Sequence, residues 1–169
     1  YNEESFTCSG ELTLEAAGVG GYTLEIYANN GFASLNTAEY EEYISSLDAK
    51  EQGNYIYDDY YKVLRIKSQK LGENVLLPLV KNDNGVITYE LFKVLKENVV
   101  LQNLLGFSLD KNALNPDSNI ISSINSNMAE VQDGVIKIYA IWTKFEATLS
   151  IRYLSESDAT YDGDPAYEI

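Results

Sequence analysis

The stretch from Gly134 to Tyr153 constrains this chain more than any other, because it holds the only Trp and alternates twice. Ile136, Ile138, Ala140 and Trp142 fall on one face. Lys137, Tyr139 and Thr143 fall on the other, with Val135 and Ile141 among them. Leu149, Ile151 and Tyr153 then alternate with Thr148, Ser150 and Arg152. Successive side chains of a strand point to opposite sides of a sheet, so this period of two predicts half-buried strands. Two strands joined by a short polar link are therefore expected, with Trp142 anchoring the apolar face. A fainter copy lies near the start. Gly10, Leu12, Leu14 and Ala16 repeat the places of Gly134, Ile136, Ile138 and Ala140. After a one-residue slip, Thr23, Leu24 and Ile26 match Thr148, Leu149 and Ile151. Self-similarity at both ends suggests a repeat-built chain, which favours an architectural or binding role over catalysis.

Between these ends the pattern is mainly β. Strands are expected over 10–17 and 22–28, separated by Gly18-Val19-Gly20-Gly21, and Asn29-Asn30-Gly31 signals a turn. Thr37 reads as a helix cap with Glu39 and Glu41 near the positive end of the dipole. Tyr40, Tyr43, Ile44 and Leu47 recur at helical spacing, which predicts a helix over 38–48. A strand over 62–68 turns Leu64 and Ile66 inward, Arg65 and Lys67 outward. Val75–Val80 reads as a strand whose Pro78 marks an edge or an end. Asn82-Asp-Asn-Gly85 predicts a hairpin turn feeding a strand over 86–94. Lys96-Glu-Asn interrupts, and Val99–Leu101 returns; a helix over 89–103 fits the apolar spacing as well. Residues 110–133 read as loop with a helical turn around 119–125.

Charge excludes some partners. The net charge is −14, with nine acids and no Lys or Arg in residues 1–49, and five acids alone in 155–169. Phosphate backbones are bound through Lys and Arg, so nucleic acid and anionic membrane are not expected partners. No apolar run approaches the ~20 residues a membrane span needs, so no membrane insertion is expected. A single domain of 169 residues would bury roughly 70% of its unfolded surface, enough for a core without staples. The start at Tyr1 reads as a mature or excised segment. Cys8 has no partner for an intrachain disulfide, and with no His a cysteine-based zinc site is excluded. The residues before Cys8 do not suit lipidation, and Cys8 is expected as a small packed side chain.

Four segments carry a family likeness. Tyr22-Thr-Leu-Glu-Ile-Tyr-Ala-Asn-Asn-Gly31 looks like an opening strand and turn, and Leu71-Gly-Glu-Asn-Val-Leu-Leu-Pro78 like a Gly-Glu…Leu-Pro step. Gly106-Phe-Ser-Leu-Asp-Lys-Asn-Ala113 looks like a Gly-Trp-(Ser/Tyr)-x-Asp segment, and Val135-Ile-Lys-Ile-Tyr-Ala-Ile-Trp-Thr143 like a closing strand. In this order they resemble the Listeria–Bacteroides repeat family, of which the B repeats of internalin B are members. Phe107 replaces the family's usual Trp, Phe32 replaces the second Gly of the opening turn, and extra material lies near 33–60 and 81–103. The resemblance implies an α+β fold: a small mixed β-sheet, mostly β, with one packed helix (β-grasp-like) and flanking strands from adjacent repeats. It divides the chain into 1–21, the tail of a preceding repeat or an N-terminal strand; 22–145, an enlarged module; and 146–169, the start of a following repeat or a C-terminal strand. It further implies a non-enzymatic spacer or adhesion module of a secreted or cell-wall-attached Gram-positive protein. Its partners would be neighbouring repeats and a host or bacterial surface protein or glycan. No catalytic residue, metal or cofactor is implied.

The residues themselves offer little chemistry. Without His the commonest general base is missing. Asp58 and Asp59 are adjacent and point to opposite faces of a strand, and Glu41 and Glu42 do not stack on a helix. Asp158, Asp162 and Asp164 lack the spacing of an EF-hand calcium loop, and no motif accompanies the Lys and Asn that an isopeptide bond would need. One cluster remains. Tyr55, Tyr57, Asp58, Tyr60 and Tyr61 combine aromatic faces with a carboxylate, which suits a sugar ring. The favoured reading is nonetheless an ordinary strand whose tyrosines alternate between core and surface. A carbohydrate-binding module attached to a secreted enzyme is therefore the second reading. A hydrolase using two carboxylates brought together by folding is the third.

Overall fold

The computed structural model describes residues 21–144. The expected strand at 10–17, the alternating residues Thr148 to Tyr153, and with them one copy of each repeat match, lie outside the described residues, as do Cys8 and the acidic residues beyond 155.

Twelve short strands and two helices make up this body. β1 is Gly21–Tyr27, β2 Ser34–Leu35, α1 Thr37–Ser45 and α2 Ala49–Gln52. β3 (Tyr55–Asp58), β4 (Val63–Lys70), β5 (Asn74–Leu76), β6 (Val80–Asp83) and β7 (Val86–Tyr89) follow. Then come β8 (Phe92–Lys96), β9 (Val99–Gln102), β10 (Leu104–Ser108), β11 (Ser123–Asn125) and β12 (Val135–Trp142). The main sheet has the order β10-β12-β1-β4-β3. β1 and β12 run parallel at its centre, and its other pairs are antiparallel. The architecture is mostly β with few helices, within the expected α+β class.

Alternation does what the sequence reading expected at the sheet's centre. Leu24, Ile26, Leu64, Ile66, Ile136, Ile138 and Ala140 are buried on one face. A second layer covers them, supplied by Tyr40 of α1, Phe92 and Val94 of β8, Val75 of β5, Ile124 of β11, and the nearby Leu77, Leu91 and Ile120. Phe107 of β10 is 1% exposed, and Tyr89 of β7 meets it edge-on at 5.6 Å. The preceding Gly106 has φ +149, and a Cβ there would lie 2.9 Å from the Pro116 side chain. Only glycine lets Pro116 close over β10.

Several boundaries differ from expectation. Asn36, not Thr37, is the N-cap residue of α1, yet its side chain does not cap. It donates instead to the Glu90 carbonyl at 3.1 Å, tying the helix start to the β7–β8 link. The expected helix over 38–48 ends at Ser45; Asp48 starts α2 by accepting from the Glu51 N–H at 2.8 Å. The strand over 62–68 begins at Val63, because Lys62 has φ 53. The apolar run 75–80 is two strands of different sheets, split at buried Pro78 and at Leu79 with φ 58. The run 86–94 is also divided. β7 pairs with β6, whereas β8 pairs with β2 and β9.

The alternative helix over 89–103 is contradicted by β8 and β9, whose two-residue turn Glu97-Asn98 has φ 52 and 68. The Asn84-Gly85 hairpin turn is as expected, with φ 53 and 87, the paired left-handed geometry that Asn-Gly favours. The helical turn expected around 119–125 is instead β11, paired with β5, followed by a 3-10 turn at Ser126–Met128. Trp142, expected as a core anchor, is only half-buried.

Candidate functional site

Folding separates the five residues of the tyrosine cluster. Tyr55 and Tyr57 alternate onto the inner side of β3 and are half-buried. Tyr55 meets Tyr43 of α1 edge-on at 6.1 Å, and burial, followed by a hydrogen bond with Tyr43, pushes its phenol pKa up. Tyr57 lies 6.4 Å from Phe92. Its hydroxyl is buried without a hydrogen-bond partner among the described residues. Burial first, then the charges of Asp59 and Asp58, push its pKa up to about 12.

Asp58 serves the turn rather than a ligand. One carboxylate oxygen accepts from the N–H groups of Tyr60 and Tyr61 at 3.0 and 3.1 Å. The other accepts from Arg65 Nη1 at 3.3 Å. The Tyr61 N–H foremost, with Arg65 and the Tyr60 N–H, holds the carboxyl below its ordinary range. That leaves Tyr60 and Tyr61, 84% and 66% exposed. Their rings meet at 4.7 Å and 88°, so they form an edge and not one flat platform.

A second group lies on the outer face of the main sheet. Register sets Glu25 of β1 opposite Arg65 of β4, and Tyr27 of β1 opposite Tyr139 of β12. Glu25 accepts from the Tyr27 hydroxyl at 2.6 Å and from Arg65 Nε at 3.0 Å. The Tyr27 and Tyr139 rings stack at 5.2 Å and 21°. Beside them opens a cleft of about 860 Å³, lined in part by Glu130, Asp133 and Lys137. Its most enclosed carboxylate, Glu25, has each oxygen engaged, so a proton-accepting role would require breaking one of those bonds. Burial, then the Glu25 bond, raises the Tyr27 phenol pKa, which keeps it protonated at neutral pH. Arg65 was legible as outward-facing; its pairing with Glu25 needed the strand order.

The fold also brings two carboxylates together. Lys81 Nζ lies 3.2 Å from Glu39 of α1 and 2.9 Å from Glu90. A glycosidase acid needs a raised pKa to hold its proton. Here Lys81 foremost pulls Glu39 down, and Glu90 foremost raises Lys81. Glu39 is thus held ionised at an exposed ion pair.

At the β12 end, Trp142 donates from its indole N–H to the Ala28 carbonyl at 2.8 Å. The Asn29 amide donates to the carbonyls of Ala140 and Lys111, both at 3.0 Å. Asn30 donates to Gln102 at 2.9 Å, and Gln102 to the Thr143 carbonyl at 2.6 Å. Clefts of about 460 and 550 Å³ lie beside Trp142. The amides lining the smaller one are largely engaged in tying the chain to itself.

Among the described residues no group of three or more His, Cys, Asp or Glu is placed to hold a metal ion, and no helix is long and apolar enough to cross a membrane. Comparison of the chain with protein-family models, curated proteins and solved structures finds no match.

Proposed function

We propose that this chain is a non-enzymatic extracellular repeat module of a bacterial surface or secreted protein, acting as a spacer or adhesion module. The sheet is read as β-grasp-like, of the Listeria–Bacteroides repeat kind. One observation supports this best. Three of the four signature segments supply β1, β10 and β12, which lie side by side, and Asn29 of the opening turn ties them together. Signature residues spent on holding one another are what a structural module needs. The two stretches longer than the family pattern also pack on each other, through β2 with β8, Asn36 with Glu90, and Lys81 with Glu39. They enlarge the module without interrupting its sheet. The parent gene tests the reading. Tandem copies with a wall anchor or secretion signal are expected; a single copy fused to a catalytic domain would overturn it.

The exposed rings of Tyr60 and Tyr61 favour a second reading, a carbohydrate-binding module with those two tyrosines as its contact. A glycan array decides it. Hits lost in Tyr60→Ala and Tyr61→Ala, at unchanged melting temperature, would support it, and an empty array would end it.

A further inference from the structure

The described body is entered at Gly21, the first residue of β1, and left after Trp142, the last residue of β12. These two strands are parallel neighbours, paired from Thr23 with Val135 to Tyr27 with Tyr139. The start of one and the end of the other therefore lie at opposite ends of the pair. Tension between entry and exit acts along the strands and slides β1 against β12. All the hydrogen bonds between them then carry the load together. A pair pulled apart from one end opens bond by bond instead.

Other contacts strengthen the same seam. The Thr23 N–H bonds the Gly134 carbonyl at 2.9 Å at one end. Trp142 and Asn29 bond across at the other, to Ala28 and Ala140. Tyr27 stacks on Tyr139 at the last pair of the register. Neither strand is at an edge. β4 flanks β1 and β10 flanks β12, so neither can peel away alone.

We propose that the β1–β12 pair is a shear clamp, and that carrying tension along the chain is a function of this module. The biological use rests on the spacer reading; the clamp geometry stands apart from it.

Single-molecule force spectroscopy on the full chain tests the clamp. In one geometry the handles are at the two chain ends. In the other, a Cys8→Ser/Gln132→Cys chain keeps the N-terminal handle and takes its second handle at position 132, beside the start of β12. The first geometry shears the pair and the second peels it. Denaturant unfolding of both chains first establishes equal stability. A several-fold higher unfolding force in shear, released in one step of roughly 400 Å, is expected. Equal forces in the two geometries, or gradual extension in shear, would overturn the clamp. The force ratio reads the clamp alone, whereas tandem copies in the parent gene read the spacer role alone.

Discussion

On the inner face of the main sheet, Leu24, Ile26, Leu64, Ile66, Ile136 and Ile138 are almost wholly removed from water. On the outer face of the same strands sit Glu25, Arg65, Tyr27 and Tyr139, joined by hydrogen bonds and a ring stack. The inner face draws its stability from apolar burial, on the order of 25 cal/mol per Å². It is non-directional and sensitive to lost volume. The outer face depends on geometry. A charged pair taken partly from water returns little net stability but tolerates no missing partner. The difference teaches where each face should fail. One fails by cavity, the other by an orphaned charge.

The largest effect belongs to the inner side. Phe107→Ala removes a ring that is 1% exposed and lies against Tyr89, and a loss of about 3–5 kcal/mol is expected in denaturant unfolding. A loss as small as that of a surface substitution would break the contrast. Next comes Glu25→Ala, which takes the acceptor from the Tyr27 hydroxyl and leaves Arg65 with Asp58 alone, at about 1–3 kcal/mol. The double change Glu25→Leu/Arg65→Met sharpens the point. It should recover the part of that loss due to Arg65, because a packed apolar pair often equals an ion pair it replaces, while the Tyr27 hydroxyl still lacks its acceptor.

Titration separates the faces in opposite directions. The folded state holds the Tyr57 proton more tightly than the unfolded chain, with a pKa of about 12 against an ordinary 10.0. Its contribution is whole below pH 10 and is lost as pH rises through about 12. Asp58, beside Arg65 on the outer side, is depressed below 3.8. Its contribution is present above that value and is lost as pH falls through the lowered pKa. Unfolding monitored by circular dichroism from both pH extremes should show Tyr57→Phe flattening the alkaline limb, and Asp58→Asn flattening the acid limb, its cost present at neutral pH and gone in strong acid. The smallest effect is expected at Tyr60→Ala and Tyr61→Ala, within about 0.5 kcal/mol in thermal melts. These rings belong to neither face.

How much of this was readable beforehand depended on the length of each signal. β12 and β4 run for eight residues each, long enough for period-two alternation to declare itself: Leu64, Ile66, Ile136, Ile138 and Ala140 are buried as expected, whereas Ile141 and Val63 are buried as well and Trp142 only half so. Asn84-Gly85 was legible because only a left-handed pair closes so short a hairpin. β2 and β11 hold two and three residues, too few for any period. The runs 75–80 and 86–94 misled because apolar character continues across a change of partner; Leu79 and the Glu90–Leu91 link redirect the backbone without breaking the pattern. Thr37 misled for another reason. The Asn36 amide found a tertiary acceptor at Glu90, and local capping preference gave way to it. The tyrosine cluster was visible as composition, but its dispersal followed from Asp58 binding its own turn. The Glu25–Arg65 pair lay beyond reach because its partners are 40 positions apart and strand order sets the match.

The parallel closure of the sheet also dictates when the molecule can be finished. Trp142 meets Ala28 across 114 positions, and Ala140 meets Asn29 across 111. A ribosome therefore releases β1 long before its central neighbour exists. Pairing this distant in sequence is slow, since a long loop must close before any contact rewards it. Until β12 arrives, one side of β1 stands as an open edge, able to recruit the wrong strand from another nascent copy.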